Sequence, residues 1–98
     1  MSNDLEILNN LADLAEDVCK KRGWKRDWLH SGCHLHLEAS EFIEALRGKD
    51  GDPADEAGDI LFVLLATVRF AGLDLKKIIS MAQEKWVKLP SKEGEIEP

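Results

Sequence analysis

Two pairs of carboxylates stand out in this chain, Glu38-Ala-Ser-Glu41 and Glu56-Ala-Gly-Asp59, each with its acids three residues apart. On a helix that step leaves side chains about 5–6 Å apart on one face, so each pair can approach one cation or bracket two. Four acids facing one another would repel. A hard divalent cation such as Mg²⁺ neutralises them and keeps part of its shell for water and substrate phosphates. The plain alternative is a pair of solvated helix faces, since Glu is a good helix former. Three joint features favour the metal site: a shared helical step, large apolar neighbours, and a short intervening turn that can set the two helices antiparallel. Glu44 and Asp55 rotate away from the pair centres and read as solvated surface.

The punctuation of the chain predicts four helices and no strand, an all-α, bundle-like fold. Asn3 or Asp4 caps a first helix running to about Arg22, with Leu5, Leu8, Leu11, Ala15 and Val18 at helical spacing and Gly23 as its stop. Trp24 to Gly32 reads as irregular, and a second helix follows from about Cys33 to Arg47. Lys49-Asp50-Gly51-Asp52 is a turn, and Asp52-Pro53 opens a third helix that ends at Gly72. Asp74 caps a fourth, Leu75 to about Lys88, stopped by Pro90. Residues 1–90 thus form one domain, with a polar, disordered tail over 91–98. On a helical wheel Leu35, Ala39, Phe42 and Leu46 fall together, with Glu38 and Glu41 toward one edge of that stripe.

At 98 residues, a single domain buries only about 60–65% of its unfolded surface. Ile60 to Leu65 is apolar around nearly the whole helical circumference, more than so small a chain can cover alone, which predicts a homo-oligomer; a central helix in a monomeric bundle is the alternative. The net charge of −6, with no basic stripe read alongside it, argues against a nucleic-acid polymer as partner. Cys19 and Cys33 are too few for a disulfide framework, no leader is recognised, and Ile60 to Gly72 is too short for a membrane span. A reducing cytoplasm is the expected location. His34 shares a side of the second helix with Glu38 and Glu41. It is a candidate for metal or phosphate, or a plain first-turn surface group. Cys33, His34, His36 and Cys19 do not match a zinc framework, and Asp50 to Leu61 fails as an EF-hand loop.

From Trp24 to Lys88 the chain resembles the MazG-like all-α nucleoside triphosphate pyrophosphohydrolases. Their Glu-x-x-Glu and Glu-x-x-Asp hallmarks are matched by Glu38, Glu41, Glu56 and Asp59, with similar continuations Glu41-Phe42-Ile43-Glu44-Ala45-Leu46 and Asp59-Ile60-Leu61-Phe62-Val63-Leu64-Leu65. Gly72-Leu73-Asp74-Leu75 and Lys85 also resemble the family's third turn and closing helix. The resemblance implies hydrolysis of ribo- or deoxyribonucleoside triphosphates to monophosphate and pyrophosphate, a house-cleaning role in nucleotide pools, Mg²⁺ as cofactor with Mn²⁺ able to substitute, and a homodimer or homotetramer. It assigns the four acids to metal, with Glu41 the choice for accepting the attacking water's proton. Lys85 and Lys88 become candidates for the outer phosphates and Trp24 for stacking on a base, against solvated lysines and core packing. Trp28 and Trp86 read as packing residues. The chain departs from the family at Pro90-Ser91-Lys92, where a basic residue commonly stands. A non-catalytic helical module binding nucleotide or protein is the competing reading.

Overall fold

A computed structural model describes residues 2–88, and the described chain is four helices without a strand: α1 (Ser2–Arg22), α2 (Trp28–Leu46), α3 (Pro53–Phe70) and α4 (Leu75–Lys88). The tail expected over 91–98 and the stop at Pro90 lie outside the described residues. α3 is the central element, packed on α2 and on α1. Small side chains make the α1–α3 approach close: Ala15, Cys19 and Ala66 are buried together, with Phe62 against them. Val63 and Leu65 are the largest side chains fully removed from solvent.

Helix ends follow local chemistry. Asp52 accepts from the Ala54 amide at 3.0 Å and Pro53 fills the first helical position, so α3 starts as the sequence predicts. Asp74 likewise accepts from the Lys76 amide at 3.1 Å, at the head of α4. α2 differs. It begins at Trp28 instead of near Cys33, because Asp27 accepts from the His30 amide at 2.9 Å and also holds His30 Nδ1 at 2.8 Å. These bonds, backbone first and ring second, hold the Asp27 carboxyl below its ordinary pKa. The segment read as irregular is therefore mostly the first turn of α2, and His34 stands beyond that turn.

The buried positions of α2 are Ser31, Glu38 and Ala45, a seven-residue repeat. Glu38 thus sits in the middle of the packed face and not at the edge of an apolar stripe, while Ala39 and Leu46 are exposed. Trp28, read as a packing residue, is instead 81% exposed, and Trp86 is half-buried.

Arg69 ties α3 to α1: Nη1 meets Asp13 at 2.6 Å and Glu16 at 3.7 Å, while Nη2 donates to the Asn9 carbonyl at 3.3 Å. Charge-assisted bonds on a side chain three-quarters removed from water resist screening better than exposed pairs. Arg69→Met is expected to cost about 1–3 kcal/mol of stability, read as a lower denaturation midpoint at unchanged cooperativity.

Candidate functional site

The α2–α3 connection explains how the two acidic pairs meet. Arg47 to Asp52 reverses the chain, with Gly48 at φ 77° and Gly51 at φ 84°, and the Gly48 and Lys49 amides bonded back to the end of α2. At a rise of 1.5 Å per residue, Glu38 lies about 12 Å from the end of α2, and Asp59 lies about 9 Å into α3. The corresponding depths are about 8 Å for Glu41 and about 5 Å for Glu56. Antiparallel helices thereby set Glu38 opposite Asp59 on an outer level and Glu41 opposite Glu56 on an inner one.

Oxygens of Glu38, Glu56 and Asp59 all lie within 4.8 Å of one another. Glu41 is not in that trio, although its charge acts on both Glu38 and Glu56. Glu38 is 8% exposed. Its carboxyl is pushed up to about 7, first by burial and then by the negative charges of Glu41 and Asp59. Glu56 is raised by the same causes in the same order. Like charges gathered this closely destabilise the chain unless protons or a cation share the space.

The donor set suits a hard cation. Oxygens around one Mg²⁺, at about 2.1 Å each, stand at most about 4.2 Å apart, so small side-chain rotations would close this trio on an ion. Among the described residues no imidazole or thiol belongs to the trio, although His34 Nε2 stands 3.6 Å from Glu38 Oε2. Cys19 is buried in the α1–α3 core and Cys33 is exposed, which leaves no zinc-type set here.

A cleft of about 320 Å³ opens beside two of the three acids, lined by Trp24, His34, Glu38, Asp59, Phe62 and Val63, while Glu56 lines a different cleft with Glu41. Phe62 and Val63 were not expected at the site, since within an unbroken apolar run nothing marks which residues face a cleft. His34 Nε2 lies 3.6 Å from Glu38 Oε2, and its ring stands edge-on to Trp24 at 6.5 Å. Trp24 also carries Arg22 over its ring at 5.4 Å. Lys85 and Lys88 do not line this cleft. Both are on α4, which has no buried residue; Lys85 lies over Trp86 at 5.4 Å, and Lys88 is bonded to Glu84 at 2.8 Å.

The family profile for phosphoribosyl-ATP pyrophosphohydrolase matches residues 33–85, more than half of the chain and the segment holding all four acids. The chain belongs to the phosphoribosyl-ATP pyrophosphohydrolase family. No curated protein and no solved structure matches it. The resemblance to MazG-like proteins holds at the level of the all-α pyrophosphohydrolase superfamily that both families share. The family assignment supports nucleotide pyrophosphohydrolase chemistry, cleavage of an acid anhydride. No helix among the described residues is long and apolar enough to cross a membrane.

One positioning feature was missed from sequence. A Cβ built at Gly51 would stand 3.2 Å from Glu56 Oε2, whereas one at Gly48 would meet nothing within 4 Å. Both glycines need positive φ, so Ala at either costs about 1–2 kcal/mol of backbone strain. Only Gly51→Ala also displaces the Glu56 carboxylate. We expect similar destabilisation from both variants, but a several-fold weaker Mn²⁺ affinity for Gly51→Ala alone, measured by titration calorimetry. The Gly-Asp-Pro run signalled the turn; nothing in the sequence signalled the approach of Glu56.

Proposed function

We propose that the protein is a divalent-metal-dependent nucleoside triphosphate pyrophosphohydrolase that cleaves ribo- or deoxyribonucleoside triphosphates to monophosphate and pyrophosphate. The observation carrying the reading is the convergence of Glu38, Glu56 and Asp59 from two helices, inside the segment matching the family profile. These three would hold Mg²⁺, or Mn²⁺ in its place. The ion would supply charge neutralisation at the phosphate oxygens and an acidified water.

Glu41 is exposed and lies outside the trio, beside Glu56 in a second cleft shared with Ser40, Lys49 and Gly51. Exposed and bordering the trio, Glu41 is our choice for the general base that takes the water's proton. Water oxygen bonds to the α-phosphorus, and the bond from that phosphorus to the α–β bridging oxygen breaks. The electron pair leaves with pyrophosphate, and the water's proton passes to Glu41. Trp24, half exposed at the mouth of the first cleft, offers an aromatic face to a base.

The working form is a homodimer or homotetramer. Trp28, Leu37, Ile43, Leu46, Met81 and Val87 are each at least half exposed, and α4 packs on little of its own chain. Apolar surface on that scale is normally covered by another subunit. A cytoplasmic role in clearing unwanted nucleotides fits such an enzyme.

The family description favours one second reading, phosphoribosyl-ATP as substrate, by the same cleavage. A panel of nucleoside triphosphates and phosphoribosyl-ATP, incubated with Mg²⁺ and assayed for pyrophosphate and monophosphate, separates the two. The proposal fails if nothing on the panel is cleaved and Asp59→Asn leaves metal affinity unchanged.

A further inference from the structure

Next to the acid-lined cleft lies another of about 410 Å³, lined by Gly23, Trp24, Lys25, Arg26, His30 and His34. The two clefts share Trp24 and His34 as a common wall, but this one has no carboxylate among its described lining residues. Its composition stands against that of the chain, in which 19 acids outnumber 13 lysines and arginines. Between Lys20 and Arg26 the last turn of α1 and the loop to α2 together carry five basic side chains, a local concentration that the overall charge conceals.

Among the described residues neither Lys25 nor Arg26 meets a carboxylate, a condition they share with Arg22, Lys49, Lys76, Lys77 and Lys85 but not with the remaining described cations. Lys21, Arg47, Arg69 and Lys88 each meet a carboxylate at 3.2 Å or less. Arg26 makes one long hydrogen bond, Nη2 to Thr67 Oγ1 at 3.4 Å, and its Nε is sealed from solvent without a partner. A half-buried guanidinium so poorly compensated is costly unless an anion completes it. Of the acids near the cleft, Asp27 is already engaged by His30 through both carboxylate oxygens, at 2.8 and 2.9 Å, and Glu38 stands 3.6 Å from His34 Nε2 on the shared wall.

We infer that this cleft, with no carboxylate among its described lining residues, receives the pyrophosphate end of the substrate, with Lys25 and Arg26 holding the two outer phosphates beside the Glu38–Asp59 cleft. The inference rests on the proposed pyrophosphohydrolase reading and gives that site the phosphate grip that Lys85 and Lys88 do not provide within the chain. Guanidinium and ammonium groups form short charge-assisted bonds to phosphate oxygens, and they stabilise charge as it collects on the leaving pyrophosphate.

The test is calorimetric binding of inorganic pyrophosphate to the full chain in Mg²⁺, set beside steady-state kinetics. Lys25→Ala removes an exposed side chain with no structural bond, and Arg26→Lys keeps the charge but loses the planar donor set. Each is expected to weaken pyrophosphate binding about 10-fold or more and to raise KM for the nucleotide. Mn²⁺ affinity and nucleoside monophosphate binding should stay within about twofold, and Lys76→Ala on α4 should change nothing. If the parent cleaves nucleotides and both variants bind pyrophosphate as the parent does, the grip is wrong and the activity stands. If the parent cleaves nothing yet binds pyrophosphate through Lys25, the anion site stands and the activity falls. A parent that binds no pyrophosphate overturns the inference.

Discussion

Glu38→Gln is expected to abolish divalent-metal binding and pyrophosphate release while making the protein more resistant to heat above pH 7. Loss of partners that merely orient metal ligands already costs about 10–100-fold in affinity or activity, so loss of a ligand from a three-oxygen cluster should cost at least about 100-fold. Stability moves the other way. An ionised Glu38 is held in a mostly buried position against Glu41, Glu56 and Asp59, and glutamine has nearly the same shape without the charge. Relief of the cost of burying that charge, and of its repulsion by the neighbouring acids, is worth on the order of 2 kcal/mol at pH 8, or several degrees in melting temperature. The check is a metal-free thermal melt of parent and variant at one protein concentration, beside a Mn²⁺ titration. A variant that loses metal and also melts lower would mean that Glu38 stabilises the fold directly, contrary to the repulsion argument.

Metal-free parent protein should lose stability as pH rises from about 4.5 to about 7, opposite to the usual behaviour of carboxylates in ion pairs. Glu38 has an ordinary value of 4.5 and a folded value near 7. Across that interval the folded chain binds more protons than the unfolded one, so the free energy of unfolding falls with each step upward in pH and levels off above about 7. Glu56, shifted in the same direction, adds to the slope. Saturating Mg²⁺ or Mn²⁺ should flatten the profile, because a bound cation stabilises the ionised form. At a hundred times the dissociation constant the gain is about 2.7 kcal/mol. Melting curves from pH 5 to 8, with chelator and with metal, decide the matter. A metal-free profile that rises through this range would contradict the cluster's repulsion, and identical profiles with and without metal would remove the case for a cation.

Both results trace to acids that are visible in the sequence but whose consequences are not. The Glu-x-x-Glu and Glu-x-x-Asp steps, and the Asp52-Pro53 and Asp74 helix starts, are local features. They depend on hydrogen bonds and torsions within a few residues, and a single chain of letters displays them. Four helices, the α2–α3 turn and the candidacy of Glu38, Glu56 and Asp59 were therefore legible. The start of α2 was legible in principle from Asp27, but the tryptophans and the following glycine obscured it.

What the letters left open was decided by packing. Glu38 lies in the middle of the α2 face that meets α3, a placement that follows from which neighbour the helix meets and not from its own periodicity. Three acids converge within 4.8 Å of one another, and Glu41 borders them closely enough to act on Glu38 and Glu56. Trp24, His34, Phe62 and Val63 share a cleft although they come from a loop and two helices. Gly51 makes room for Glu56, and Lys25 with Arg26 lines a recess that has no acid among its described lining residues. Sequence alone determined which residues could do chemistry and which helices carry them, since those depend on short-range forces. Only the tertiary structure decided which of them face one another, because distance and burial between separate helices set the charge, the pKa and the space available to a ligand.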